Sequence, residues 1–287
     1  MNLTRRDALL AMAGSAALAA LPRARSADTA LPAPALAGGL RHSACRWCYQ
    51  KIPLDDLARE GRKLGLESIE LLEPADWPVV QRHGLTCAMA MGVTKIPEGL
   101  NRVEHHAAMV PGMVERIKGC ADAGIPNVIC FSGNRAGLDD EAGLENCAVA
   151  LKQIVGQAER SRVTVCMELL NSKVDHKDYM CDHTAWGAEL VRRVGSERFK
   201  LLYDIYHMQI MEGDVIRTIR ENHAYIAHYH TGGVPGRHEI DDTQELNYTT
   251  ICRAIRDTGY RGFLGQEFIP VKDPYASLAD ALARCSA

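Results

Sequence analysis

The chain has 287 residues, 47% of them hydrophobic and 24% charged, an ordinary globular composition long enough for one large or two small domains. A net charge of −3 gives no general attraction for nucleic acid or anionic lipid. An aromatic content of 6% is too low for base-stacking platforms, so the expected partner is a small molecule and not a nucleic acid.

Residues 1–27 read as a leader. Arg5-Arg6 is followed by an apolar stretch from Ala8 to Leu21 and by small residues before Asp28, the pattern of a twin-arginine signal peptide. The apolar core is too short and Ala-rich for a stable membrane anchor, and no other run is long enough to span a bilayer. Cleavage is expected between Ala24 and Ala27. The twin-arginine export machinery is then a partner, and the mature protein is expected in the periplasm or secreted. Residues 28–40, rich in Ala, Pro and Gly, read as a flexible lead-in. The twin-arginine route carries folded proteins, which is compatible with a metal acquired before export. Reducing conditions during folding and an oxidising destination leave the ten cysteines open to either state.

From residue 41 onward, short β-rich runs alternate with longer amphipathic ones. Strands are expected at 41–45, 68–72, 86–92 and 127–133, then at 163–170, 199–204, 225–230 and 262–268. Between them lie helical patterns such as "LDDLAREGRKLG" and "TAWGAELVRRVG", with apolar residues every three or four positions and a closing Gly. "CRWC" at Cys45 to Cys48 is a lone C-x-x-C without the second pair a structural zinc site needs. Strand-end packing is its expected role, and a Cys45–Cys48 disulfide stays open. Cys87, Cys130 and Cys166 fall inside strands and read as small buried hydrophobes.

Eight repeats of strand then helix require a parallel sheet, because each return to the same edge needs a crossover. The α/β class follows, and the length fits a single-domain, closed (β/α)8 barrel of the TIM type over residues 41–287. An open doubly wound sheet is the alternative, but no G-x-G-x-x-G follows the first strand.

In such a barrel the chemistry sits at the C-terminal ends of the strands. The ends of the last four expected strands carry Glu168, Asp204, His230 and Glu267. Adjacent strands lie about 4.8 Å apart, so the four side chains can converge. Crowded carboxylates repel and need a cation. Three oxygen donors and one imidazole suit Mn²⁺, Mg²⁺ or Co²⁺ better than structural zinc. Singly, each residue is ordinary: a strand-end acid usually caps the next helix, and His230 could be a satisfied buried imidazole. Their recurrence on four successive strands is what makes them candidate metal ligands. Glu168 and Glu267 are also the candidate acid–base pair. His207, Arg237 and Glu70 are assigned to the substrate, Arg237 because its planar fork suits a carboxylate. Loop packing for His207 and a surface pair with Glu239 for Arg237 are the plainer alternatives.

Three stretches, "YDIYHMQIMEGD", "GGVPGRHEIDDTQELNY" and "GYRGFLGQEF", resemble the hydroxypyruvate isomerase family within the xylose-isomerase-like barrels. The likeness covers roughly residues 40–270 and is strongest from Glu168 onward. It implies an intramolecular oxidoreductase that moves a proton between adjacent carbons through an enediolate, as in hydroxypyruvate and tartronate semialdehyde. It also implies one divalent metal on Glu168, Asp204 and Glu267. The position matching His230 is commonly Gln in hydroxypyruvate isomerases and His in the ketose 3-epimerases. Those epimerases carry Asn-Arg-x-Glu after the first metal carboxylate, where this chain has Ser172 and Val174 in place of the Arg and Glu. The expectation is an isomerase of a small hydroxy-carbonyl compound. Its rival is a ketose 3-epimerase or another sugar or inositol isomerase, with a non-catalytic periplasmic binding barrel behind both. An abasic-site endonuclease shares the fold but needs more His ligands and a basic groove, and is not expected. Pairing of outer helices into a homo-oligomer stays open.

Overall fold

A computed structural model of the chain describes residues 39–286. The leader expected over 1–27 and nearly all of the lead-in at 28–40 lie outside the described residues. Seven strands are formed among the described residues: β1 Arg41–Cys45, β2 Ser68–Glu70, β3 Asn127–Cys130, β4 Thr164–Leu169, β5 Phe199–Asp204, β6 Ile226–Thr231 and β7 Phe263–Gln266. All neighbours are parallel, in the order β2-β1-β7-β6-β5-β4-β3. Every residue of β2, β3, β4 and β7 is buried, as expected for a parallel sheet covered on one face by helices and filled on the other by its own side chains.

The crossovers include helices Leu54–Leu64, Val103–Asp122, Asp140–Ser161, Thr184–Val194, Val215–Asn222 and Tyr248–Asp257, and helix Pro274–Ser286 follows β7. Their ends follow local chemistry. Asp139 caps one by accepting from the amides of Glu141 and Ala142. Gly65 and Gly195 close two others in the left-handed conformation, at φ 107° and 70°, where a glycine meets no Cβ penalty. Among the described residues no helix is long and apolar enough to cross a membrane.

Residues 86–92 do not form the eighth strand that the alternation predicts. They join the two edges of the curled sheet through isolated parallel bridges, Ser68 to Thr86 and Leu72 to Ala90 on the β2 side and Ala90 to Val128 on β3, with backbone hydrogen bonds that do not run on as a ladder. The cause is local. The Ala88 amide donates to Ser68 Oγ at 2.7 Å, and the Ala88 carbonyl accepts from Asn127 Nδ2 at 2.9 Å. Side chains therefore take the backbone groups that a continuous ladder would use. The run also offers small residues, Cys87, Ala88 and Ala90, where strands favour β-branched ones.

Strand register then assembles the C-terminal end of the sheet. Asp204 pairs with His230, and His230 pairs with Gly265. A Cβ at Gly265 would lie 2.6 Å from Glu70 Oε1 and 2.7 Å from His230 Cδ2. The missing side chain is the room in which Glu70 meets His230.

Candidate active site

Glu168 lies on β4, Asp204 ends β5, His230 lies on β6, and Glu267 follows the last residue of β7. All four are buried, and one ligand atom from each falls within 4.8 Å of the others. His230 Nδ1 is 2.8 Å from Glu267 Oε2 and 3.5 Å from Glu168 Oε1. Asp204 uses its oxygens separately. Oδ1 accepts the His207 amide at 3.2 Å, capping helix Ile205–Met211, and Oδ2 accepts from the Arg237 guanidinium at 2.9 Å. The same guanidinium nitrogen donates to Glu267 Oε2 at 2.5 Å.

Burial and charge divide the three carboxyl groups. Burial pushes Asp204 up to about 8; Arg237 opposes the shift, and the charges of Glu267 and Glu168 add to it. Glu168 is likewise raised by burial and by the charge of Glu267. Burial would raise Glu267 too, but Arg237 and His230 outweigh it and hold that carboxyl well below its usual range. Three carboxylates against one guanidinium leave two negative charges uncompensated when all are ionised, which is the deficit a divalent cation supplies.

The side-chain atoms fit such an ion. Glu168 Oε1, His230 Nδ1 and His207 Nε2 are buried atoms without a hydrogen-bond partner, although water or protein normally satisfies such groups. His230 Nδ1 makes no aligned hydrogen bond despite its short distance to Glu267. The orphaned atoms on Glu168 and His230 belong to the four-residue cluster itself. Oxygen, oxygen, oxygen and imidazole nitrogen is a donor set for a hard or borderline divalent metal.

The three residues assigned to substrate lie in different places. His207 is fully buried, with Nε2 3.7 Å from Asp204 Oδ2 and Nδ1 2.6 Å from Asn171 Nδ2. Burial, and then the charge of Arg237, lowers its pKa well below the usual value, so the ring is neutral. Arg237 is not paired with Glu239 at the surface. Its guanidinium spans Asp204 and Glu267 and lies 5.2 Å from the ring centres of both Trp47 and Tyr206. Glu239 instead accepts from Ser277 and from the amides of Val271 and Lys272.

Glu70 does not reach the mouth where a substrate would sit. It is completely buried beneath His230, and its Oε1 accepts from His230 Nε2 at 2.7 Å and from His228 Nε2 at 2.8 Å. Burial would raise its pKa, but His228 and His230 lower it, so the carboxylate is ionised and can only accept. Both rings then donate from Nε2. Nδ1 of His230 faces Glu168 and Glu267, and although burial lowers the ring's pKa, Cys45, Glu267 and Glu168 raise it well above the usual value, so a proton is held there that a bound metal would displace. Cys45 Sγ lies 3.7 Å from both Glu70 Oε1 and His230 Nε2. Cys45 and Cys48 form no disulfide; all ten cysteines are free, and all but the half-buried Cys48 are buried.

Several neighbours escaped the sequence reading. Trp47 donates its indole N–H to Glu267 Oε1 at 2.6 Å. It sits inside "CRWC", where the thiols drew attention away from it. Asn171, three residues after Glu168, folds the following loop by donating to Asp175 Oδ2 at 2.7 Å, and Tyr206 donates to the same oxygen at 2.8 Å. This places His176 with its ring centre 5.3 Å from that of His207. Trp47, His176, Arg237, Glu168 and Glu267 help to line a cavity of about 450 Å³, and its remaining lining is apolar.

The xylose isomerase-like TIM barrel family matches residues 59–285. A human protein named putative hydroxypyruvate isomerase is 27% identical over 242 residues, covering 81% of this chain and 80% of its own length. Hydroxypyruvate isomerase of Escherichia coli is 26% identical over 238 residues, or 78% of this chain and 92% of that protein. Among solved structures, one described as an AP endonuclease of family 2 from Brucella melitensis superposes with a TM-score of 0.76 at 24% identity, covering 84% of this chain and 97% of that one. That last likeness speaks to the fold alone. With its family matched over most of its length and its full-length relatives named as isomerases, the chain belongs to the xylose isomerase-like TIM barrel family and is an isomerase.

Proposed function

We propose that this protein is a divalent-metal-dependent isomerase that moves a proton between the adjacent carbons of a small 2-hydroxy-carbonyl compound, with hydroxypyruvate and tartronate semialdehyde as the reference pair. The observation that carries this reading is the placement of Glu168 and Glu267 on either side of His230, with environments that drive their proton affinities apart. Opposed proton affinities are what an acid–base pair requires. Glu267, kept ionised by Arg237 and His230, takes the proton from the hydroxyl-bearing carbon. Glu168, whose burial favours the protonated form, returns one to the neighbouring carbonyl carbon, and the hydroxyl proton passes to the former carbonyl oxygen, so the product is an isomer with no atom gained or lost. His207 is neutral and has a free buried Nε2, so it can hydrogen-bond a substrate oxygen. Arg237 lines the cavity and presents a cation to a substrate carboxylate. Glu168, Asp204, His230 and Glu267 would hold the metal, which when bound supplies electrostatic stabilisation of negative charge developing on substrate oxygens.

The test is direct. Purified protein with Mn²⁺, Mg²⁺ or Co²⁺ is expected to interconvert hydroxypyruvate and tartronate semialdehyde, and chelation is expected to abolish turnover. Glu267→Gln and Glu168→Gln are each expected to lower kcat by about 10²-fold or more. Full activity in both variants, or in chelated protein, would overturn the reading.

A second reading, ketose 3-epimerase, is favoured by His230, the residue those enzymes place where hydroxypyruvate isomerases commonly place Gln. It is weakened by the loop after β4. Ser172 donates to Asp182 at 2.5 Å, and Val174 is 61% exposed, so neither replaces the polar groups that the epimerases direct at a longer sugar. We also propose that residues 1–27 direct twin-arginine export to the periplasm or medium. N-terminal sequencing of protein recovered from that compartment checks the cleavage.

A further inference from the structure

The cavity over the carboxylates has two kinds of lining. Glu168, Glu267, Arg237 and His176 supply its charged and polar groups, and Trp47, Leu71, Met91, Ile96, Ile129, Phe131 and Leu170 the rest. Among the described residues, no Ser, Thr, Asn, Gln, Asp or Lys side chain lines this cavity. The backbone offers little in compensation. The amides of Leu71, Met91 and Ile129 are bonded to the carbonyls of Met89, Leu72 and Ala90, and that of Phe131 to Thr94 Oγ1. The Met91 carbonyl is taken by Arg116, and the indole N–H of Trp47 by Glu267. A hydroxyl carried against the apolar lining would lose its water and find no partner, an unfavourable exchange. A methylene placed there would be stabilised by leaving water. At about 450 Å³ the cavity is also in the size range that encloses ligands well beyond a three-carbon acid.

We infer that the substrate is a 2-hydroxy-carbonyl compound whose far end is a hydroxyl-poor hydrocarbon substituent, longer than that of hydroxypyruvate, seated against Leu71, Met91, Ile96, Ile129 and Phe131. This rests on the isomerase reading for which end of the molecule meets the carboxylates. It separates the chain from a polyol isomerase by the apolar lining, not by the reacting groups themselves.

Titration calorimetry of the Mn²⁺-supplemented, full-length protein tests it. The probes are 1-hydroxy-2-propanone, 1-hydroxy-2-butanone and 1-hydroxy-2-hexanone, with 1,3,4-trihydroxy-2-butanone as the polyol matched in chain length to the second. Affinity is expected to rise about fourfold per added methylene until the cavity fills. The matched polyol is expected to bind more weakly than 1-hydroxy-2-butanone. Met91→Gln, a change at a half-buried position of the wall, is expected to flatten the series. A series flat in the native protein, absence of binding included, or a polyol that binds tighter than its alkyl match, overturns the inference. The two readings fail separately. Turnover of hydroxypyruvate with a flat series removes this inference and leaves the isomerase standing. A graded series in a protein that isomerises none of these compounds keeps the apolar seat and removes the proposed chemistry.

Discussion

Asp204 shows how one side chain can satisfy a structural rule and a functional one together. Its Oδ1 caps the helix that follows β5, while its Oδ2 meets Arg237 within the four-residue cluster. The common reading of a strand-end acid and the rarer one are both true, each for a different oxygen. Glu70 makes the converse point. It ends a strand as the other acids do, yet its carboxylate is occupied by two imidazoles below the cluster. In the proposed metal site its role is to orient His230 through Nε2. Carboxylates that hold a metal-binding imidazole in this way typically contribute about 10- to 100-fold in metal affinity. Glu70→Gln is therefore expected to weaken Mn²⁺ binding, measured by equilibrium dialysis, by about that factor, while the native fold is retained by circular dichroism. Unchanged affinity would show that His230 needs no such support. The four rim residues were legible from sequence because the end of a strand is a fixed place in this architecture. The destination of Glu70 was not, because it depends on His228 two residues before His230 and on the missing side chain of Gly265, neither of which marks itself in the sequence.

At the scale of elements, the alternation of β-rich and amphipathic runs was readable, since period, length and closing glycines agree along the chain. Seven of the eight expected strands form, most within one or two residues of their expected bounds. The exception, 86–92, has the right length and hydrophobicity and fails for a reason no window of its own residues contains. Ser68 and Asn127, from neighbouring strands, take the Ala88 amide and carbonyl. A segment held by isolated bridges should open more readily than one held by a continuous ladder. Amides of residues 86–92 are expected to exchange with deuterium at least about tenfold faster than those of β4 and β5, measured by native-state exchange. Equal protection would mean that the side-chain bonds hold this segment as firmly as a ladder. Helix Ile205–Met211 and the loop begun by Asn171 were likewise invisible to periodicity, because each is organised by one polar side chain, Asp204 or Asn171.

At the scale of the molecule, the ten cysteines form no disulfide and nearly all are enclosed by the core. Cys48, the one half-buried cysteine, is expected to react first with a thiol reagent in the native protein, slowly because burial and the charge of Glu267 raise its pKa, against ten fast-reacting thiols after denaturation; several fast-reacting thiols in the native protein would show a looser interior. No covalent cross-link supports this architecture, so a reductant is expected to leave its melting temperature unchanged. The same enclosure gives unfolding an asymmetric outcome. A chain opened in an oxidising medium presents ten thiols, free in the native packing although Cys252 and Cys285 lie within hydrogen-bonding reach, and random pairing among them competes with refolding. In such a medium, persistence would be governed by how rarely the chain opens.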